Sequence, residues 1–289
     1  MTWLTRLTWI LLPVTLGDLL GAAFEERSTA VALAGVVLGW GLWSAGLLAS
    51  LVPQPWALVA LRIIAPTAVL AGAIAATAEA PGLLGWAGIV LAAVSAVAAM
   101  SAEVGHEFVN GASYGDEERF PLRPPAVLYL GPIGLVWALT ALPLPAAVFA
   151  FAARQWLLGA ALGLVGASTA WWGVKVLTRL TRRWCVFVPA GVTLVDDMAV
   201  VEPTLMRGRD IVSVGPAPAD TTALDLSAAA SGLIVQIDLN GEGEFTPMPQ
   251  RGGTTEPMSA SSVLIAPSRP GRLIRHAHAR GLGATRESA

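Results

Sequence analysis

The sequence predicts a membrane α-helical domain of about six transmembrane helices, followed by a mainly β domain closed by one helix. Three observations predict it. Only 13% of the 289 residues are charged and 55% are hydrophobic, whereas a water-soluble domain carries about 25% charged residues. All eleven Trp lie at or before Trp184, in the part of the chain made of long apolar runs. Beyond Trp184 the runs become short and β-branched, with Gly, Pro, Asp or Asn between them. The expected division is a transmembrane part, residues 1–183, a β part, residues 184–282, and a flexible tail, residues 283–289.

Six stretches reach the ~20 apolar residues that cross a bilayer. They are Trp3–Phe24, Ser28–Leu51, Trp56–Ala78, Gly82–Ala102, Ala126–Leu142 and Ala146–Thr178. The connections EER, PQP, EAP and LPLP are so short that neighbouring helices pair as hairpins. The first stretch contains Arg6, Pro13 and Asp18 and reads as a first transmembrane helix; a signal segment ending at Gly21–Ala23 is the alternative. Lys175, near the end of the last stretch, and Arg179, Arg182 and Arg183 after it place that end in the cytoplasm. Counting back puts the N-terminus and the segment 103–125 there too, with Arg27 and Arg154 as the two basic residues outside. Asp18, Arg62 and Arg154 are the polar residues at membrane level. Gly35-x-x-x-Gly39 and Gly159-x-x-x-Gly163 have the spacing that lets helices approach closely, or are generic glycines of apolar helices. Pro13, Pro66 and Pro132 fall in spans one, three and five, where a proline frees a carbonyl and can kink the helix.

The segment 103–125 contains GHEFVNGASYGDEERFPLRPP, with five charged residues among the eight from Asp116 to Arg123. A connector needs only a few residues, so about twenty with turn signals at Asn110–Gly111 and Gly115–Asp116 point to an ordered loop that docks on the β part, on the bundle or on a partner; a solvated connector is the alternative. Its candidate docking residues are Glu103, His106, Glu107, Asn110, Tyr114, Asp116, Glu117, Arg119, Phe120 and Arg123. Glu103, His106 and Glu107 at i, i+3, i+4 would share a helix face. A di-iron bundle needs two Glu-x-x-His motifs and two further Glu, and a zinc site wants three protein ligands. One such motif is present, and the other histidines, His276 and His278, are remote in sequence. These residues therefore read as the place where a helix leaves the bilayer, and no metal or cofactor is expected.

The β part runs through WCVFVPAGVTLVD, with a turn at Pro189–Gly191, then MAVVEPTLMR, DIVSVGPA, ALDLS, GLIVQIDL and SSVLIAPS. NGEGEFTPMPQRGGTTEPMS, residues 240–259, reads as a mobile loop, and RPGRLIRHAHARGL as a closing helix from Pro270. The runs VFVPAGVTLVD, RGRDIVSVGP and IAPSRPGRLIRHAHARGL resemble the bacterial pleckstrin-homology-like domain, which implies a small barrel closed by a C-terminal helix. The loop NGASYGDEERFPLRPP ahead of RRWCVFVPAG is similar to multi-pass membrane proteins of high-G+C bacteria, and the excess of Arg over Lys fits such a genome. The resemblance carries no activity with it.

The net charge of −2 gives no reason to expect a nucleic-acid partner, and a single Cys excludes an internal disulfide. No nucleophile with a base, no phosphate-binding loop and no Gly-x-Ser-x-Gly motif is present, so an enzymatic reading ranks below the others. The first functional expectation is a membrane adaptor or assembly protein acting at the cytoplasmic face through the loop and the β part. The second is a small transporter or lipid-handling protein. A membrane metalloenzyme ranks third. Expected partners are the bilayer and another membrane or cytoplasmic protein, and self-association is possible on this reading.

Overall fold

The first helix inverts the rule of a soluble protein. In α1 (Thr2–Thr15) the buried stripe is Thr2, Thr5, Thr8, Trp9, Leu12 and Thr15, while Trp3, Leu7, Ile10 and Val14 are exposed. A helix that turns threonines inward and large apolar side chains outward is suited to lipid, where small and polar residues form the helix contacts. The computed structural model describes residues 1–248 and 256–282; the expected tail, residues 283–289, lies outside them. The chain forms two compact units, one of residues 1–111 and 133–178, the other of residues 112–132 and 179–289.

The helical unit continues with α2 (Gly17–Ala22), α3 (Thr29–Leu51), α4 (Pro55–Ala78), α5 (Leu83–Met100) and α6 (Ala102–Asn110). After the short α7 (Ala126–Tyr129) of the other unit come α8 (Pro132–Ala141), α9 (Pro143–Ala152) and α10 (Trp156–Thr181). Among the described residues, five segments are long and apolar enough to cross a membrane: Thr29–Leu51, Pro55–Ala78, Leu83–Met100, Pro132–Ala152 and Trp156–Thr181. The expectation of six continuous spans is corrected at two places. Trp3–Phe24 is interrupted at Leu16 into α1 and α2, so neither piece spans alone. LPLP is not a connection: α8 and α9 run on through it, because Pro143 and Pro145 occupy the first turn of α9, where the fixed φ of proline is already helical. The reversal lies at Ala153–Gln155, with Arg154 in the left-handed region at φ 60°, and Ala126–Tyr129 precedes the span instead of belonging to it.

Two proline breaks are answered by a neighbouring helix. Pro13 cannot donate to the carbonyl of Trp9; the Trp43 indole of α3 donates to it at 3.0 Å, and the Trp9 indole donates back to the Trp43 carbonyl at 2.8 Å. Pro143 likewise leaves the Leu139 carbonyl without its helical donor, and Thr169 Oγ1 of α10 supplies one at 2.6 Å. Without water, a freed carbonyl must find a protein donor. A close helix approach runs along α5, where Gly85, Gly88, Ala92, Ser95 and Ala99 form a small stripe; a Cβ on Gly88 would lie 2.8 Å from the backbone of Leu16, whereas one on Gly39 would meet nothing within 4 Å.

Among the described residues the β unit holds two four-stranded sheets. The first is β1 (Glu118–Pro121), β2 (Trp184–Val188), β3 (Gly191–Val195) and β4 (Thr204–Arg207), antiparallel in that order. The second is β5 (Ile211–Pro216), β6 (Leu224–Asp225), β7 (Val235–Phe245) and β8 (Met258–Ile265), in the order β5-β7-β8-β6. The expected turn between β2 and β3 is present. Gly191 takes φ +147°, and a Cβ there would sit 2.1 Å from the Met206 carbonyl, so the position needs glycine. Bridges at Leu122–Pro267 and Val200–Pro247 join the sheets at two corners. Phe120, Phe187, Leu194, Phe245, Ile237 and Ile265 fill the core, and α11 (Pro270–Ala279) closes it with Leu273 and Ala277. Residues 240–245 continue β7 instead of opening a mobile loop, and Met258 and Ser259 begin β8; residues 249–255 lie outside the described ones.

Candidate functional site

The polar segment that the sequence singles out is divided between the two units. Residues up to Gly111 belong with the helices; those from Ala112 belong with the sheets. Ser101 stops α5 and caps α6, accepting the N–H of Val104 at 3.3 Å. The break exposes the end of α5, and Arg62 Nε of α4 donates to the Ala99 carbonyl at 3.1 Å. In α6, Val104, Phe108 and His106 turn into the bundle while Glu103 and Glu107 face out. Of the three residues expected to share a face, His106 is buried with Val109, while Glu103 and Glu107 are exposed. Asn110 Nδ2 donates to the His106 carbonyl at 2.8 Å, and Thr2 Oγ1 donates to Glu107 Oε2 at 2.5 Å. Among the described residues no three His, Cys, Asp or Glu side chains gather into a metal-sized cluster.

From Glu117 onwards the segment is part of the β fold. β1 pairs with β2 in the register Glu118–Phe187, Arg119–Val186, Phe120–Cys185 and Pro121–Trp184. The period of two sends Phe120 into the core and turns Glu118 and Arg119 to other uses. Arg119 donates to Glu117 Oε1 at 2.7 Å and lies over the Trp184 ring at 5.3 Å. The Arg119 hydrogen bond holds the Glu117 carboxyl below its usual range. Glu118 meets Arg272 at 3.2 Å and His276 Nδ1 at 2.9 Å, both on α11. Arg123 donates its backbone N–H to Ala266 and its side chain to the Leu233 carbonyl; Gly232, at φ +91°, leaves room for it. Tyr114 and Asp116 stay exposed, and the Asp116 carbonyl accepts from Arg280.

Sequence reasoning missed the most deeply buried charges of this unit. Arg183 and Asp196 are both almost wholly enclosed and form a two-pronged ion pair, Nε–Oδ1 and Nη2–Oδ2, each 2.7 Å. The third Arg183 nitrogen donates to the Arg123 carbonyl at 2.9 Å. Arg183 is thus not the membrane-flanking charge it looks like in RRW; it ties the 112–132 segment to the strand that follows α10. His276 is the second omission. Its ring packs edge-on against Phe187 and beside Phe120. With Nδ1–H on Glu118, Nε2 is bare and enclosed without a partner. Burial lowers its pKa from the ordinary 6.5, against the opposing pull of Glu118, with Arg280 and Arg272 also lowering it.

No family model, no curated protein and no solved structure matches this chain. Cys185 is fully buried and its thiol is pushed up to about 12 by desolvation, which makes it no nucleophile. Asp18 and Arg154 are exposed on α2 and in the α9–α10 turn, and Arg62 is engaged at the α5–α6 junction, so the three membrane-level polar residues do not converge. One opening does stand out in the β unit. Among the described residues, strand β4 has a sheet neighbour on one side only. Between it and the second half of β7 lies a cleft of about 130 Å³ whose rim includes Leu205, Arg207, Asp210, Asn240, Glu242 and Glu244.

Proposed function

We propose that this chain is an integral membrane adaptor of a bacterial inner membrane, whose β domain and 112–132 segment together form a docking module at the cytoplasmic face. The observation that carries the reading is β1: a polar segment between membrane helices is spent as a strand of the domain, held by Phe120, Glu118 and the Arg183–Asp196–Arg123 knot. A module assembled from the chain before and after the α8–α10 hairpin keeps both ends of that hairpin on one side of the bilayer. Arg179 and Arg182 at the end of α10 support the cytoplasmic side. The four-strand meander, the second sheet and the closing α11 fit the pleckstrin-homology-like fold that the sequence resembles.

The free edge of β4 and the acidic rim of the adjoining cleft suit an extended protein segment that adds a strand and brings basic side chains to Asp210, Glu242 and Glu244. The transporter reading has weaker support, because its three polar residues lie apart. The test is purification of the full chain from native membranes in mild detergent, beside Leu205→Arg and Tyr114→Ala variants, both at exposed positions. A partner present in equal amount with the unaltered chain and lost with either variant, at unchanged thermal stability, supports the adaptor. A partner indifferent to both variants, or none at all, overturns it.

A further inference from the structure

The helical unit contains a space that its proline breaks and glycines do not close. Helix α3 meets the α1–α2 segment through the Trp9–Trp43 hydrogen bonds and at two glycines that face large rings. A Cβ at Gly46 would fall 2.3 Å from the Trp9 ring, and one at Gly35 would fall 2.6 Å from the Phe24 ring. The two aromatic side chains act as props. Between them a Cβ on Gly39 would meet nothing within 4 Å, and a cavity of about 220 Å³ opens between α1–α2, α3 and α4. The propped stretch from Gly35 to Gly46 is about 16 Å long at the helical rise per residue.

The wall is hydrocarbon. Leu12, Leu16, Leu20, Ile64 and Ala68 face it. The few polar groups there are already used: the Trp9 and Trp43 indoles donate to each other's carbonyls, and Thr67 Oγ1 donates to the Ile64 carbonyl at 2.5 Å. Water needs two to four polar partners to occupy a cavity, so this one stays dry. Left empty, a void of this size weakens the packing around it. Val36 and Trp40 border the cavity and are also more than half exposed on the outer surface of α3. The space therefore opens towards whatever bathes the outside of an apolar helix, which in a bilayer is acyl chain. No charged side chain lines the cavity to hold a headgroup.

We propose that this cavity binds one hydrocarbon tail of a membrane lipid, admitted between Val36 and Trp40 and held in extended form along α3, with its polar end left outside the bundle. This is a binding function of the helical unit, separate from docking at the β unit. The test places the full chain in phosphatidylglycerol vesicles carrying a photoactivatable diazirine in mid-chain, and in parallel vesicles doped with the corresponding free fatty acid. Labelled peptides are mapped by mass spectrometry. The expected result is label on inward residues of α1 and α4, such as Leu12, Leu16 and Ala68, falling at least several-fold in Gly39→Phe, which fills the cavity, while label on the lipid-facing side of α10 is unchanged. Labelling by the phospholipid probe assigns the tail to a bilayer lipid; labelling by the fatty-acid probe alone assigns it to free acid. Label confined to outward residues in the unaltered chain overturns the proposal whether or not Gly39→Phe folds, as does wall labelling that Gly39→Phe leaves intact.

Discussion

Arg183 and Asp196 show what a single residue decides here. Taking two charges out of water is costly, and a pair so buried is sustained only because every strong donor and acceptor is used: two bonds between the side chains, one from Arg183 to the Arg123 carbonyl, one from the Met198 N–H to Asp196. Removing one partner leaves the other charged and enclosed. Asp196→Ala is expected to destabilise the β unit by about 3–5 kcal/mol, whereas a double change of Arg183 and Asp196 to leucine costs much less. The single cysteine reports this directly, since Cys185 is buried in that unit. Its alkylation under increasing urea should begin at far lower denaturant in Asp196→Ala than in the unaltered chain. An unchanged midpoint would mean that the pair contributes nothing. Nothing in RRW or LVDD distinguishes Arg183 from Arg182, or Asp196 from Asp197, because the distinction is made by which side chain points inward from β2 and β3.

Between elements, the contact of β1 with α11 depends on protonation. His276 of α11 lies between the rings of Phe120 and Phe187 and hydrogen-bonds Glu118 of β1, with Arg272 and Arg280 nearby on its own helix. Its folded pKa is below the ordinary value of 6.5. The unfolded chain therefore binds the proton first, and stability that is present above pH 6.5 is lost as the pH falls through the folded pKa. The expected outcome is a thermal midpoint for the β unit that drops between pH 7.5 and 5.5, with a smaller drop in His276→Phe. Equal drops in both would assign the effect elsewhere. The helices were largely legible in advance: Ser28–Leu51, Trp56–Ala78 and Gly82–Ala102 differ from α3, α4 and α5 by two residues at most. Strand β1 was not, because ERFP offers one core-facing residue and no alternation long enough to read.

For the whole molecule, the consequence is that the β unit is discontinuous in sequence. A fragment of residues 179–289 lacks β1 and so uncovers Cys185 and Phe187, against which Phe120 packs. That fragment is expected to expose Cys185 to alkylation at least tenfold faster than the full chain, and a peptide of residues 112–132 added in trans should restore protection. A fragment as protected as the full chain would show β1 to be an accessory.

Composition and hydropathy by themselves determined that the chain is a helical membrane part followed by a β part, where three of the spans lie, the turn at Pro189–Gly191 and the closing helix at Pro270. These are properties of local windows, in which twenty apolar residues or a β-branched run are decisive whatever they pack against. Only the tertiary structure decided that 112–132 belongs to the β unit, that LPLP is a kink and not a turn, that His106 is buried while Glu103 and Glu107 are exposed, and that Arg183 is buried. Each of those depends on a partner distant in sequence: β2 for β1, Thr169 for the carbonyl that Pro143 frees, the bundle core for α6, and Asp196 for Arg183. A polar group in an apolar surrounding is placed by whatever satisfies it, and in this chain the satisfying group lies on another element.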